Sequence, residues 1–135
     1  MNTYVLDASA GLRLVVTGPE TDTVRRIVAD ADEIVAPNLY AAEVANAIWK
    51  LARAGHINDA TVRLNTVLEL LDEQICSPPD LIAEALTEAI RLNHPVYDLL
   101  YAVTARRRGD TLITVDRRLT DLAQTMGVPV LPAAN

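Results

Sequence analysis

Two short apolar runs in this chain, YVL at residues 4–6 and LITV at 112–115, each climb into an aspartate, Asp7 and Asp116. Neither run alternates apolar with polar residues, so both suit strands buried on two faces, as in a parallel sheet. The segments between them read as helices interleaved with further strands. AGLRLVV (10–16) is broken by Gly18 and Pro19, and residues 23–31 place Val24, Ile27 and Val28 on one side. EIVAP predicts a strand ending at Pro37, and LYAAEVANAIWKLARAG is the clearest helix, stopped by Gly55. A helix beginning after Asn58 or Asp59 runs through VLELLDE, QIC is a short strand, and another helix spans 80–93. DLLYAVTARRRG is a helix closed by Gly109, RRLTDLAQTMG one closed by Gly127, and VPVL a last strand. This alternation predicts βαβ crossovers and an α/β fold with helices on both faces of the sheet. Such sheets bind ligands beyond the carboxyl ends of their strands, which is where Asp7 and Asp116 stand.

With 135 residues, half of them hydrophobic, the chain has the size of one ordinary domain, and a single unit over 1–135 is expected. The first residues lack the basic start and apolar core of a leader peptide. No stretch approaches the roughly 20 apolar residues of a membrane span, so a cytoplasmic protein without membrane contact is expected. The lone Cys76 allows no internal disulfide, fits a reducing compartment and reads as a small buried hydrophobe. A net charge of −6 argues at first against a nucleic-acid partner. Arg106, Arg107, Arg108, Arg117 and Arg118 nevertheless crowd near the C-terminus, where they serve either as solvated helix ends or as phosphate contacts.

Taken alone, Asp7 and Asp116 each read as a helix cap. Two further acids change the balance. Glu43, Asn46, Lys50 and Arg53 form one polar stripe on their helix, opposite Val44, Ile48 and Leu51. Asp98 opens a helix that is apolar almost all round, with Pro95 fixing its approach. His94, four residues earlier, reads as a solvated loop histidine, and Tyr40 and Trp49 as core or interface aromatics.

The series DAS after the first strand, EVANAI on a helix, and YDLLYAVTARRRGDTLITVDRRL resembles the PIN-domain nucleases, and among them the toxins of VapBC-type toxin–antitoxin pairs. The resemblance covers nearly the whole chain. It implies a three-layer α/β/α sandwich with a central, mainly parallel sheet of four to five short strands. It also implies a ribonuclease that hydrolyses RNA phosphodiester bonds through Mg²⁺ or Mn²⁺ held by Asp7, Glu43, Asp98 and Asp116. Ser9, Asn46 and Thr114 match positions that orient those acids. Arg106, Arg107, Arg108, Arg117 and Arg118 are then candidate RNA-phosphate contacts. The implied partners are a cognate antitoxin, seated beside the acidic site, and a second copy in a homodimer. The competing reading is a non-catalytic PIN-like module that binds protein or RNA.

Elementary electrostatics agrees with a metal site. Four ionised carboxylates in one pocket repel and drive some of their number to take up protons, a conflict that a hard divalent cation resolves through oxygen ligands. With those four set aside, 14 acids face 12 bases, so the rest of the surface is nearly balanced. Other small acidic α/β proteins fit less well. A phosphoacceptor domain wants a lysine after a late strand, and the single lysine, Lys50, lies within a helix. A D-x-D phosphatase is excluded by Ala8 and Ser9. No glycine run forms a phosphate cradle, and no cysteine cluster or paired histidine motif suits zinc.

Overall fold

The computed structural model describes residues 1–133. Among them lie five strands: β1 (Thr3–Leu6), β2 (Glu33–Pro37), β3 (Glu73–Ile75), β4 (Thr111–Ile113) and β5 (Val130–Leu131). The helices are α1 (Ala8–Arg13), α2 (Thr21–Ala29), α3 (Leu39–Arg53), α4 (Ala60–Glu69), α5 (Pro79–Leu92), α6 (Val96–Arg108) and α7 (Arg117–Thr125). The sheet is parallel throughout, with order β3-β2-β1-β4-β5. The chain starts in the middle strand, builds one half outward through β2 and β3, then returns to build the other. Because parallel crossovers are right-handed, reversing direction moves the later helices to the opposite face. The contacts follow: α3 packs on α1, α4 and β2, while α6 packs on α5, α7 and the three central strands.

Val5, Leu6, Val35, Leu112 and Ile113 are fully buried, which is why these strands carry no polar alternation. Helix α6 covers them with Leu99, Tyr101, Ala102, Val103 and Ala105, all buried, and its far end is tied to α5 by ion pairs of Arg106 with Glu84 and Glu88. Three boundaries differ from the sequence expectation, each for a local reason. Helix α1 begins at Ala8 because the Asp7 carboxylate already accepts the Ala10 N–H. Helix α6 begins at Val96, two residues before Asp98, with Pro95 in the capping position, so Asp98 sits in its first turn and is not its cap. Strand β4 stops at Ile113, leaving Thr114 and Val115 to carry the chain to Asp116. Cys76 is exposed, contrary to its expected burial.

One close approach sets the position of α1. Gly11 faces the ring of Tyr40 on α3, a side chain that is fully buried and whose hydroxyl donates to the Val67 carbonyl at 3.2 Å. A Cβ at Gly11 would run into that ring. Gly11→Ala is therefore expected to destabilise the fold by about 2 kcal/mol, the overpacking cost exceeding the gain in helix propensity. A urea melt checks this, and an unchanged midpoint would show that Tyr40 yields freely.

Candidate active site

Strands β1 and β4 lie side by side where the strand order turns, the crevice that open α/β sheets use for ligands. Leu6 pairs with Ile113, and the Asp7 N–H donates to the Ile113 carbonyl at 3.0 Å, so Asp7 and Thr114 emerge as neighbours. The Thr114 hydroxyl donates to Asp7 Oδ2 at 2.8 Å and accepts the Asp116 N–H at 3.0 Å, joining the two segments. The Ser9 hydroxyl and the Ala10 N–H hold Asp7 Oδ1 at 2.8 and 3.0 Å. Asp116 Oδ1 accepts the N–H groups of Arg118 and Leu119 at 2.9 and 3.2 Å. Both aspartates are thus helix caps, and both also face the same cavity.

Glu43 enters that cavity from α3 and Asp98 from α6. The Tyr101 hydroxyl donates to Glu43 Oε1 at 2.6 Å, and His94 Nε2 lies 2.8 Å from Asp98 Oδ2. The cavity, about 360 Å³, is lined by all four acids together with Ser9, Asn46, Lys50 and Tyr101. Its electrostatics are strained. Burial pushes the Asp7 carboxyl up to about 7; the Ala10 N–H and the Ser9 and Thr114 hydroxyls oppose the rise, and the charge of Asp116 adds to it. Burial also raises Glu43, against the hydrogen bond from Tyr101, and the charges of Asp98 and Asp116 raise it further. Burial and the contact with Glu43 lift Tyr101 far above the ordinary tyrosine range, so its hydroxyl is a permanent donor.

The PIN domain model matches residues 4–124. The chain belongs to the PIN-domain family. It is 31% identical over 128 residues to Ribonuclease VapC3 of Pyrobaculum aerophilum, covering 93% of this chain and 98% of that protein. The crystal structure of PAE2754 from Pyrobaculum aerophilum superposes with a TM-score of 0.75 at 27% identity, over 96% of this chain and 84% of the other. The crystal structure of DNA-bound VapBC from Salmonella typhimurium gives a TM-score of 0.65 at 19% identity over 96% and 97% of the two chains, a likeness of fold alone.

In this PIN domain the donors facing the cavity are carboxylate, amide and hydroxyl oxygens, a set that suits Mg²⁺ or Mn²⁺. Among the described residues no three Asp, Glu, His or Cys side chains are gathered tightly enough to hold an ion as they stand. That spacing matches the habit of Mg²⁺, which uses one or two carboxylates and completes its shell with water and phosphate oxygens. The residues therefore fit the ion, which the four acids would hold directly or through water.

Asp7, Ser9, Glu43, Asn46, Asp98 and Asp116 all line the cavity, and Thr114 supports Asp7 from behind at 1% exposure. Arg117 and Arg118 are exposed at the start of α7, the same end of the sheet. The expectation that Arg106, Arg107 and Arg108 meet RNA phosphate does not fit their placement. They end α6, about 12–15 Å along the helix from Asp98, and are held by Glu84, Glu88, Asp80, Asp110 and Glu33. His94 is no solvated loop residue either, since its side chain is only 5% exposed and is turned onto Asp98. Tyr40 belongs to the core, whereas Trp49 is half-exposed under the Arg53 guanidinium, 5.0 Å from its ring. Two cavity residues, Tyr101 and Lys50, were not assigned to the site from sequence. Both carried a signal, because Tyr101 follows Asp98 by three residues and Lys50 follows Glu43 by seven, spacings that share a helix face.

Proposed function

We propose that this chain is a Mg²⁺- or Mn²⁺-dependent endoribonuclease and the toxin of a toxin–antitoxin pair. One observation supports the reading above the others: four segments distant in sequence bring Asp7, Glu43, Asp98 and Asp116 to one cavity at the β1/β4 crevice. The ribonuclease name of a relative sharing nearly the full length adds the substrate class.

The four acids would hold the ion, which when bound supplies charge to the scissile phosphate and acidifies an attacking water. The chain's own groups prepare the site. Ser9, Thr114 and the Ala10 N–H fix both oxygens of Asp7, while Tyr101 and His94 fix one oxygen each of Glu43 and Asp98. Asn46 offers an amide at the wall for a water or a phosphate oxygen. The fold excludes water beneath Asp7, so charge interactions at the cavity floor are stronger than in bulk solvent.

Substrate phosphate needs a cation near the acids. Lys50 lines the cavity, and the ion pairs that occupy Arg106, Arg107 and Arg108 leave it out. Lys50→Ala is expected to raise KM for RNA several-fold with kcat nearly unchanged, and to flatten the dependence of binding on salt by about 0.7 in slope. Arg107→Ala is expected to change neither. Equal effects from the two variants, read by cleavage assays at several salt concentrations, would remove Lys50 from this role.

The antitoxin partner is placed beside the cavity with a basic side chain toward the acids, and exposed Trp49 on α3 is a candidate contact. A homodimer completes the proposed assembly. The deciding experiment incubates partner-free protein with circular and linear RNAs, with Mn²⁺, with Mg²⁺ and with EDTA. Metal-dependent opening of circles supports an endonuclease. RNA binding without any cut supports the non-catalytic module instead.

A further inference from the structure

We propose that Tyr101 and His94 are positioning residues that make Glu43 and Asp98 one-oxygen ligands and so tune the site for small octahedral ions. The proposal rests on the metal reading given above. Tyr101 is 1% exposed, and its hydroxyl meets Glu43 Oε1 at 2.6 Å, while His94 meets Asp98 Oδ2 at 2.8 Å. These hydrogen bonds engage Oε1 of Glu43 and Oδ2 of Asp98, and no such bond engages the second oxygen of either cavity-lining acid among the described residues. Asp116 follows the same pattern, since its Oδ1 caps α7. Asp7 departs from the pattern, since both its oxygens accept hydrogen bonds and it would meet the ion through a remaining lone pair.

The backbone holds both brackets in place. Tyr101 lies one turn along α6 from Asp98, so α6 carries one of the acids together with the brace of the other, while His94 reaches Asp98 from the connection that precedes the helix. His94 follows Asn93, the left-handed residue that ends α5; its N–H donates to the Ala89 carbonyl at 3.0 Å, and Pro95 restricts the next bond. A polar ring buried this far needs a partner, and Asp98 is the partner it has. Carboxylates limited to one oxygen suit Mg²⁺ and Mn²⁺, which take near-octahedral shells of single contacts. They suit Ca²⁺ poorly, because it takes more oxygens and often both from one acid.

The test is direct Mn²⁺ binding to partner-free protein, followed by electron paramagnetic resonance, with Ca²⁺ as competitor. Tyr101→Phe removes one oxygen and keeps the packed ring; His94→Leu removes the donor. Each is expected to weaken Mn²⁺ about tenfold and to make Ca²⁺ a better competitor, because the freed acid can offer both oxygens. His94→Gln carries an amide donor at similar reach and is expected to bind within about threefold of the parent chain. If both variants bind Mn²⁺ and reject Ca²⁺ like the parent while Asp98→Asn loses the ion, the positioning role is overturned and the metal site stands. Failure of His94→Gln to recover binding overturns the part played by His94. If the parent chain itself binds no Mn²⁺, both readings fall together.

Discussion

At pH 8, Asp7→Asn is expected to melt above the parent chain and to cut no RNA. Asp7 is 5% exposed and its carboxyl is pushed up to about 7 from 3.8, first by burial and then by the charge of Asp116. A folded-state value above the unfolded one means that ionisation opposes folding. Below about pH 3.8 the group is protonated in both states and costs nothing. Between there and pH 7 the unfolded chain ionises while the folded one does not, so stability falls as pH rises. Above pH 7 the whole penalty is present, about 4 kcal/mol as an upper figure. Asparagine carries no charge and keeps an oxygen for the Ala10 N–H, although the Thr114 hydroxyl must turn to accept from the new amide. Allowing for that lost donor, a gain of about 2 kcal/mol corresponds to a rise of about 5–10 °C in Tm for a chain of this size. The gap should close near pH 4. It should also narrow when Mn²⁺ is added, because an ion that binds the folded parent stabilises it and not the variant. Thermal melts across pH 4–8 check the sign, and a variant less stable than the parent at pH 8 would contradict a buried, unneutralised charge.

Asp98→Asn separates activity from stability in another way. Asp98 lies in the first turn of α6 and does not cap it, so the fold loses only its favourable interaction with the helix dipole, about 0.5 kcal/mol. The new amide oxygen still faces His94. Loss of a charged oxygen at the cavity, by contrast, removes several kcal/mol of electrostatic support for the reacting phosphate. Cleavage should drop about a thousandfold, equivalent to about 4 kcal/mol, with Tm shifted by only a degree or two. EDTA should bring the parent chain to the same level, and excess Mn²⁺ should restore the parent and not the variant. Full activity in Asp98→Asn at equal metal would sink the acidic cage.

The strands, the order of elements and the parallel class were legible because each leaves a local trace: apolar runs without alternation, glycines at helix ends, prolines at breaks. The convergence of Asp7, Glu43, Asp98 and Asp116 was legible only through their positions at strand ends and on one helix stripe, joined to a family pattern. Pairing between side chains was not. Whether Arg106, Arg107 and Arg108 are free to meet phosphate depends on Glu84, Glu88 and Asp110, which come from other elements, and no periodicity in α6 reveals them. The contact of His94 with Asp98 leaves no trace in the sequence because His94 lies in the break between α5 and α6, where helical spacing does not apply. For Asp7 and Asp116, capping and site duty were weighed as alternatives, when one carboxylate oxygen can serve a helix and the same group still face a cavity.

The central position of β1 has a consequence for synthesis. One edge of that strand can pair with β2 once Glu33–Pro37 has left the ribosome, but its other edge waits for Thr111–Ile113. Until then a growing chain exposes an open parallel edge and lacks Asp116 and the β4 partner that seats Asp7, so a truncated translation product is inert as a nuclease and prone to strand-to-strand association. Catalytic power thus waits on a single step, the pairing of β4 with β1.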